Sequence, residues 1–97
     1  MKHLILAKFR PEITPEAKKG MLPEIRRIFD GTLSIDGVHG VKVYSNCVNR
    51  ENRYDVMIEL TMDRSALEEY DACDAHREWK NAYGRLLEKK AIFDTED

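Results

Sequence analysis

Among the side chains of this 97-residue sequence, those best suited to chemistry are a tyrosine and two histidines: Tyr70, His76 and His3. An imidazole titrates near neutrality and can take a proton, and a phenol can donate a hydrogen bond to an enolate as it forms. A Tyr and a His set side by side can therefore do general acid–base chemistry without a metal. Residues 70 and 76 fall on either side of an interruption at residues 71–74, so helical spacing alone does not bring them together. His76 and Trp79 are an i,i+3 pair, and whatever the imidazole faces, the indole helps to wall in. Each residue also has a structural reading. His76 can be a helix-start imidazole bonded to backbone, Tyr70 a core aromatic with its hydroxyl at the rim, and His3 a satisfied core residue. Trp79, Tyr83 and Leu86 read as core, although an aromatic wall would equally suit an apolar ligand.

Other chemistries have less to stand on. His3 and His76 could share a metal, but no His, Cys or carboxylate cluster has ligand spacing, and no Gly-rich loop for phosphate occurs, so the expectation is no metal and no organic cofactor. Cys47 and Cys73 are too far apart for a CxxC motif and too few for a disulfide framework, which reads as two reduced thiols in a reducing compartment. With 16 basic and 18 acidic residues interleaved along the chain and a net charge of −2, there is no basic footprint for nucleic acid. No segment is apolar enough for a membrane span, and Met1-Lys2-His3-Leu4 runs into a charged strand instead of a signal-peptide core, so the expected location is cytoplasmic. A 42% hydrophobic and 35% charged composition fits one soluble domain over residues 1–97, close to the lower size at which a single core is comfortable.

The elements that must position these side chains follow from periodicity. Residues 2–9, KHLILAKF, read as a strand ended by Arg10-Pro11, with Leu4 and Leu6 on one face and His3, Ile5, Ala7 and Phe9 on the other. Thr14-Pro15-Glu16 is a helix start, with Thr as N-cap, and the helix runs to about Asp30-Gly31. Ala17, Met21, Ile25, Ile28 and Phe29 make its apolar stripe. Pro23 predicts a kink or break, because an interior proline removes a backbone hydrogen bond. After a turn at Asp36-Gly37 and Gly40, Val41, Val43 and Cys47 mark a second strand, residues 46–53 a polar connection in which residues 50–53 are a solvated hairpin loop, and residues 54–62 the clearest strand. Ser65 and Glu68 form a capping box for a second helical region, and Asp74 caps a further helix carrying His76, Trp79, Tyr83, Leu86 and Leu87. Residues 90–94 are a last short strand, with an acidic end at residues 95–97.

The order is β-α-β-β-α-β, the split βαβ arrangement of the ferredoxin-like α+β fold, with four antiparallel strands and the helices on one face. A first strand that is apolar on both sides implies that the uncovered face meets a second copy of the sheet. The partner expected is therefore another copy of this chain, as a homodimer.

Taken in order, several features resemble the stress-responsive A/B barrel family. They are the opening Lys2-His3-Leu4-Ile5-Leu6-Ala7-Lys8-Phe9, the Thr14-Pro15-Glu16 helix start, Gly37-Val38 with Val41, Arg53-Tyr54-Asp55, Leu67 with Tyr70 and Ala75-His76, and Ile92-Phe93-Asp94. The resemblance spans nearly the whole chain and implies a ferredoxin-like protomer whose dimer closes two sheets into a barrel. It also implies a cavity between sheet and helices, since one plant member of the family is a cofactor-free cyclase acting on a linear polyketide through a Tyr and a His. Tyr70 and His76 occupy the positions of that pair, and His3 matches a pocket-lining His. Two departures separate the sequences: Ile25 stands where the cyclase has a Tyr, and Cys73-Asp74 replaces the His-Pro that commonly precedes the Ala-His pair.

The function expected on these grounds is binding of a small apolar or polyketide-like molecule, with a cofactor-free lyase, isomerase or cyclase activity in view. Its catalytic residues would be His76 and Tyr70, and its ligand-binding residues His3, Ile5, Ile25, Ile58, Trp79 and Ile92. The competing readings are a non-catalytic stress-associated dimer or interaction module, and a cofactor-free monooxygenase of the related dimeric type.

Overall fold

A computed structural model describes residues 1–96; Asp97, the last residue of the expected acidic end, lies outside the described residues. Four strands, β1 (Lys2–Phe9), β2 (Val38–Ser45), β3 (Val56–Met62) and β4 (Leu87–Thr95), form one sheet in the order β2-β3-β1-β4. All three pairings are antiparallel. The helices are α1 (Pro15–Asp30), α2 (Leu67–Asp71) and α3 (Asp74–Tyr83). Single 3-10 turns at Gly31–Ser34, Arg64–Ala66 and Gly84–Leu86 join the helices to the strands beside them in the chain. The chain is thus an α+β domain of ferredoxin-like order.

The alternation of β1 is what divides the sheet into two faces. His3, Ile5, Ala7 and Phe9 are buried beneath the helices, together with Val56, Ile58, Leu60 and Met62 of β3. Ile25, Ile28 and Phe29 of α1 and Trp79 and Tyr83 of α3 close the core from above, with the Phe29 and Trp79 rings edge to face at 5.3 Å and Trp79 stacked on Tyr83 at 5.3 Å. Aromatic pairs in these geometries add to the stabilisation from area burial. On the opposite face no helix among the described residues is packed into the core. There the register sets Tyr44, Met57, Leu6 and Ala91 side by side across the four strands, and Leu4 beside Phe93. Phe93 is 61% exposed.

Local signals account for most element ends. The Thr14 hydroxyl accepts from the Ala17 backbone N–H at 3.1 Å, an N-cap as the Thr-Pro-Glu start requires. Gly37 has φ +93°, and a Cβ there would come within 3.1 Å of the Ala66 Cβ, so this turn needs glycine. Asp55 ties the far end of β1 to α1: its carboxylate accepts from the Phe9 N–H at 2.8 Å and from Lys18 Nζ at 3.1 Å.

Several local expectations are corrected. Helix α1 is not broken at Pro23 but continues from Pro15 to Asp30; Pro23 lies on the exposed side, where its ring meets solvent. Ala17, assigned to the apolar stripe, is exposed. Cys47 is exposed and lies beyond β2, and Leu87 belongs to β4 instead of the last helix. The Ser65 capping box does not form, since a 3-10 turn without a side-chain cap precedes α2. Cys73, not Asp74, caps α3: its Sγ accepts from the His76 N–H at 3.4 Å, leaving Asp74 as the first helical residue. Strand β4 is longer than residues 90–94 because it pairs with the whole of β1, apart from a register shift at Lys8/Phe9.

Candidate active site

The break between α2 and α3 is what brings the chemical side chains together. Tyr70 sits in the last turn of α2, the chain turns through Ala72 and Cys73, and His76 returns on the first turn of α3. The two rings then stand 5.0 Å apart, centroid to centroid. His3, on the helix-facing side of β1, stands edge to face with the Tyr70 ring at 5.2 Å. The phenol ring is thus in contact with two imidazoles from elements far apart in the chain.

These residues line a cavity of about 290 Å³ between α2, α3, β1 and β4, at the lower end of the range for small-molecule sites. Ile5, Leu67, Trp79 and Ile92 supply apolar wall, and Asp71, Lys80, Lys90 and Asp94 supply charge. Of the residues expected in the site, the structure brings together His3, Ile5, Tyr70, His76, Trp79 and Ile92. Ile25 and Ile58 are not among its lining; both are buried in the core between α1 and the sheet. Leu67, Asp71, Lys80, Lys90 and Asp94 were not anticipated. The only signal for Asp94 was its place in the Ile92-Phe93-Asp94 segment; nothing local marks the two lysines.

Each imidazole has one nitrogen assigned by its partner. The His3 Nδ1 lies 2.5 Å from a carboxylate oxygen of Asp94, and since a carboxylate only accepts, Nδ1 carries the proton. The His76 Nδ1 donates to the backbone carbonyl of Asp71 at 3.0 Å. In both rings this leaves Nε2 as the nitrogen with a lone pair to offer when the ring is neutral. Partial burial pushes the His76 pKa below 6.5, opposed by the Asp71 carbonyl and assisted by the positive charges of Lys80 and Lys90. Burial pushes Tyr70 in the other sense, well above the usual phenol range, with Cys73 and Asp71 contributing. The two groups are therefore held as a neutral imidazole and a protonated phenol at neutral pH, which is the division between base and hydrogen-bond donor.

The Tyr70 hydroxyl is fully buried and has no hydrogen-bond partner among the described residues. An unmet buried hydroxyl costs on the order of 1–3 kcal/mol, and such a group in a native fold calls for a reason. Among the described residues no cluster of three or more His, Cys, Asp or Glu could hold a metal ion, and no helix is long and apolar enough to cross a membrane.

The family model described as the stress responsive A/B barrel domain matches residues 1–97. A search of curated proteins finds no significant match. Among solved structures, a dimeric protein of unknown function with a ferredoxin-like fold from Bacteroides fragilis superposes with a TM-score of 0.79 at 17% identity, over 99% of this chain and 94% of that one. A protein from Arabidopsis thaliana superposes with a TM-score of 0.73 at 25% identity, over 99% and 93%. A Dabb family protein with a ferredoxin-like fold from Mesorhizobium loti gives 0.74 at 15% identity, over 99% and 94%.

Proposed function

The chain belongs to the stress-responsive A/B barrel family, and from that premise we propose that it is a cytoplasmic homodimer that binds a small molecule beside Tyr70 and moves a proton on it. The reaction class is a lyase, isomerase or cyclase step requiring neither metal nor organic cofactor. The observation that carries this reading is the buried Tyr70 hydroxyl, without a partner among the described residues, on a ring that contacts two imidazoles at a cavity. A substrate carbonyl would supply the missing acceptor.

The steps follow from the assigned protons. The neutral His76 takes a proton from a carbon next to the carbonyl at Nε2, and Tyr70 donates its hydrogen bond to the carbonyl oxygen as negative charge gathers there. The enolate carbon then attacks a second carbonyl or expels a leaving group, and the imidazolium returns its proton to the oxygen or leaving group so formed. His3, with its tautomer set by Asp94, would orient the substrate or relay that proton.

Homodimer formation is supported by the apolar row of Tyr44, Met57, Leu6 and Ala91 on the open face and by relatives described as dimeric. Two free thiols, one of them exposed, suit a reducing compartment such as the cytoplasm. The same open face also favours a second reading, a stress-associated dimer or interaction module without chemistry, because it explains assembly with no reference to the cavity.

Solvent exchange separates the two. With a panel of aliphatic and aryl ketones in deuterated buffer, the proton-transfer reading expects α-carbon exchange above the buffer rate, abolished by His76→Gln and lowered by Tyr70→Phe. Exchange equal to buffer, with no ketone moving the His76 imidazole resonances, would leave only the dimeric module.

A further inference from the structure

We propose that Lys80 and Lys90 form an anion subsite at the edge of this cavity, so that the molecule accepted carries a carboxylate joined to an apolar body. The inference rests on the cavity of Tyr70 and His76 being a ligand site, and adds which ligands enter it. Lys80 lines the cavity from α3 and Lys90 from the helix-facing side of β4. Neither ammonium makes an ion pair or hydrogen bond among the described residues, whereas Lys8 and Lys18, on other parts of the surface, are both engaged. Two exposed ammonium groups brought to one small cavity from separate elements, neither ion-paired among the described residues, would both attract an anion lying between them.

The carboxylates already in the cavity do not meet that need. Asp94 is bonded to His3. Asp71 adjoins the Tyr70 and His76 end, where its carbonyl holds the imidazole and its charge acts on both rings. Both lysines line the same cavity as His76, so an anion seated on them shares the cavity with the proposed base. Ile5, Leu67, Trp79 and Ile92 provide the surface for an apolar remainder. Such a ligand would place its charge on the lysines, its body on these residues and its reacting carbonyl under Tyr70.

The probes are phenylacetate, its neutral isostere phenylacetamide, and inorganic phosphate, titrated into the full chain while the imidazole resonances of His76 are followed by NMR. Phenylacetate should bind about five- to tenfold tighter than phenylacetamide, weaken as salt is raised, and lose its advantage in Lys80→Gln/Lys90→Gln, while Lys19→Gln leaves it intact. Equal binding of acid and amide at His76 would overturn the anion subsite and leave the cavity reading standing. Phosphate binding as tightly as phenylacetate would overturn the two-part ligand. If none of the three perturbs His76 in the folded wild type, the subsite and the cavity reading both fall.

Discussion

The ring of Tyr70 lies 5.0 Å from that of His76 and 5.2 Å from that of His3, yet its hydroxyl bonds to neither. A phenol that only filled space would do so equally well as phenylalanine. Tyr70→Phe should therefore keep or raise stability, by up to about 1–2 kcal/mol, because it removes an unsatisfied buried group. It should at the same time lower ketone exchange. Urea unfolding of the two proteins checks the first point, and a clear loss of stability in the variant would show that the hydroxyl is structurally engaged.

His76 should titrate with a midpoint below 6.5 when followed by NMR, since burial disfavours its charged form. The sign for stability follows. With a depressed folded value, the unfolded chain binds the proton more readily, so the contribution from His76 is fully present above about pH 6.5 and is lost as pH falls toward the folded value. Exchange activity should fall over the same acid limb. Removing a neighbouring positive charge with Lys80→Gln should move the midpoint upward; a downward move would contradict the proximity of that lysine.

Asp94→Ala should free the His3 ring from its assigned tautomer. Nitrogen chemical shifts are expected to change from one protonated Nδ1 to a mixture of tautomers, and stability to drop by about 1 kcal/mol. An unchanged His3 spectrum would mean that Asp94 does not set the ring.

Sedimentation of the wild type should give a species of twice 11.3 kDa, and Leu6→Lys should give the 11.3 kDa protomer or insoluble chain. Leu6 stands between Met57 and Ala91 in the open apolar row, and a charge there would have to be buried unpaired in a dimer. An unaltered dimer in this variant would place the interface elsewhere.

Pro23→Ala should raise stability by about 1–3 kcal/mol, because an exposed helix-interior proline withholds a backbone hydrogen bond that alanine can make. Gly20→Ala, where a Cβ would meet no atom within 4 Å, should add about 0.5–1 kcal/mol. Thermal unfolding of both variants checks the pair, and a fall in Tm at Pro23 would imply that the proline relieves strain elsewhere in α1.

Much of the architecture was legible in residue order. The two-faced alternation of residues 2–9 separated His3, Ile5, Ala7 and Phe9 from Leu4 and Leu6, and the Thr-Pro-Glu start placed α1, because strand pleat and helix capping are set within a few neighbouring residues. The identities of Tyr70, His76 and His3 as acid–base groups were equally local facts. What only the tertiary structure decided depends on pairings between distant segments. The β1–β4 register sets Asp94 opposite His3 across 91 positions of sequence, and the same ladder sets Ile92 opposite Ile5 and Lys90 opposite Ala7. Packing of α1 over the sheet closed Ile25 and Ile58 into the core, although their periodicity was that of site-facing residues. The missing partner of the Tyr70 hydroxyl is likewise a property of everything around it, since an unmet donor exists only when no group from any element comes within reach.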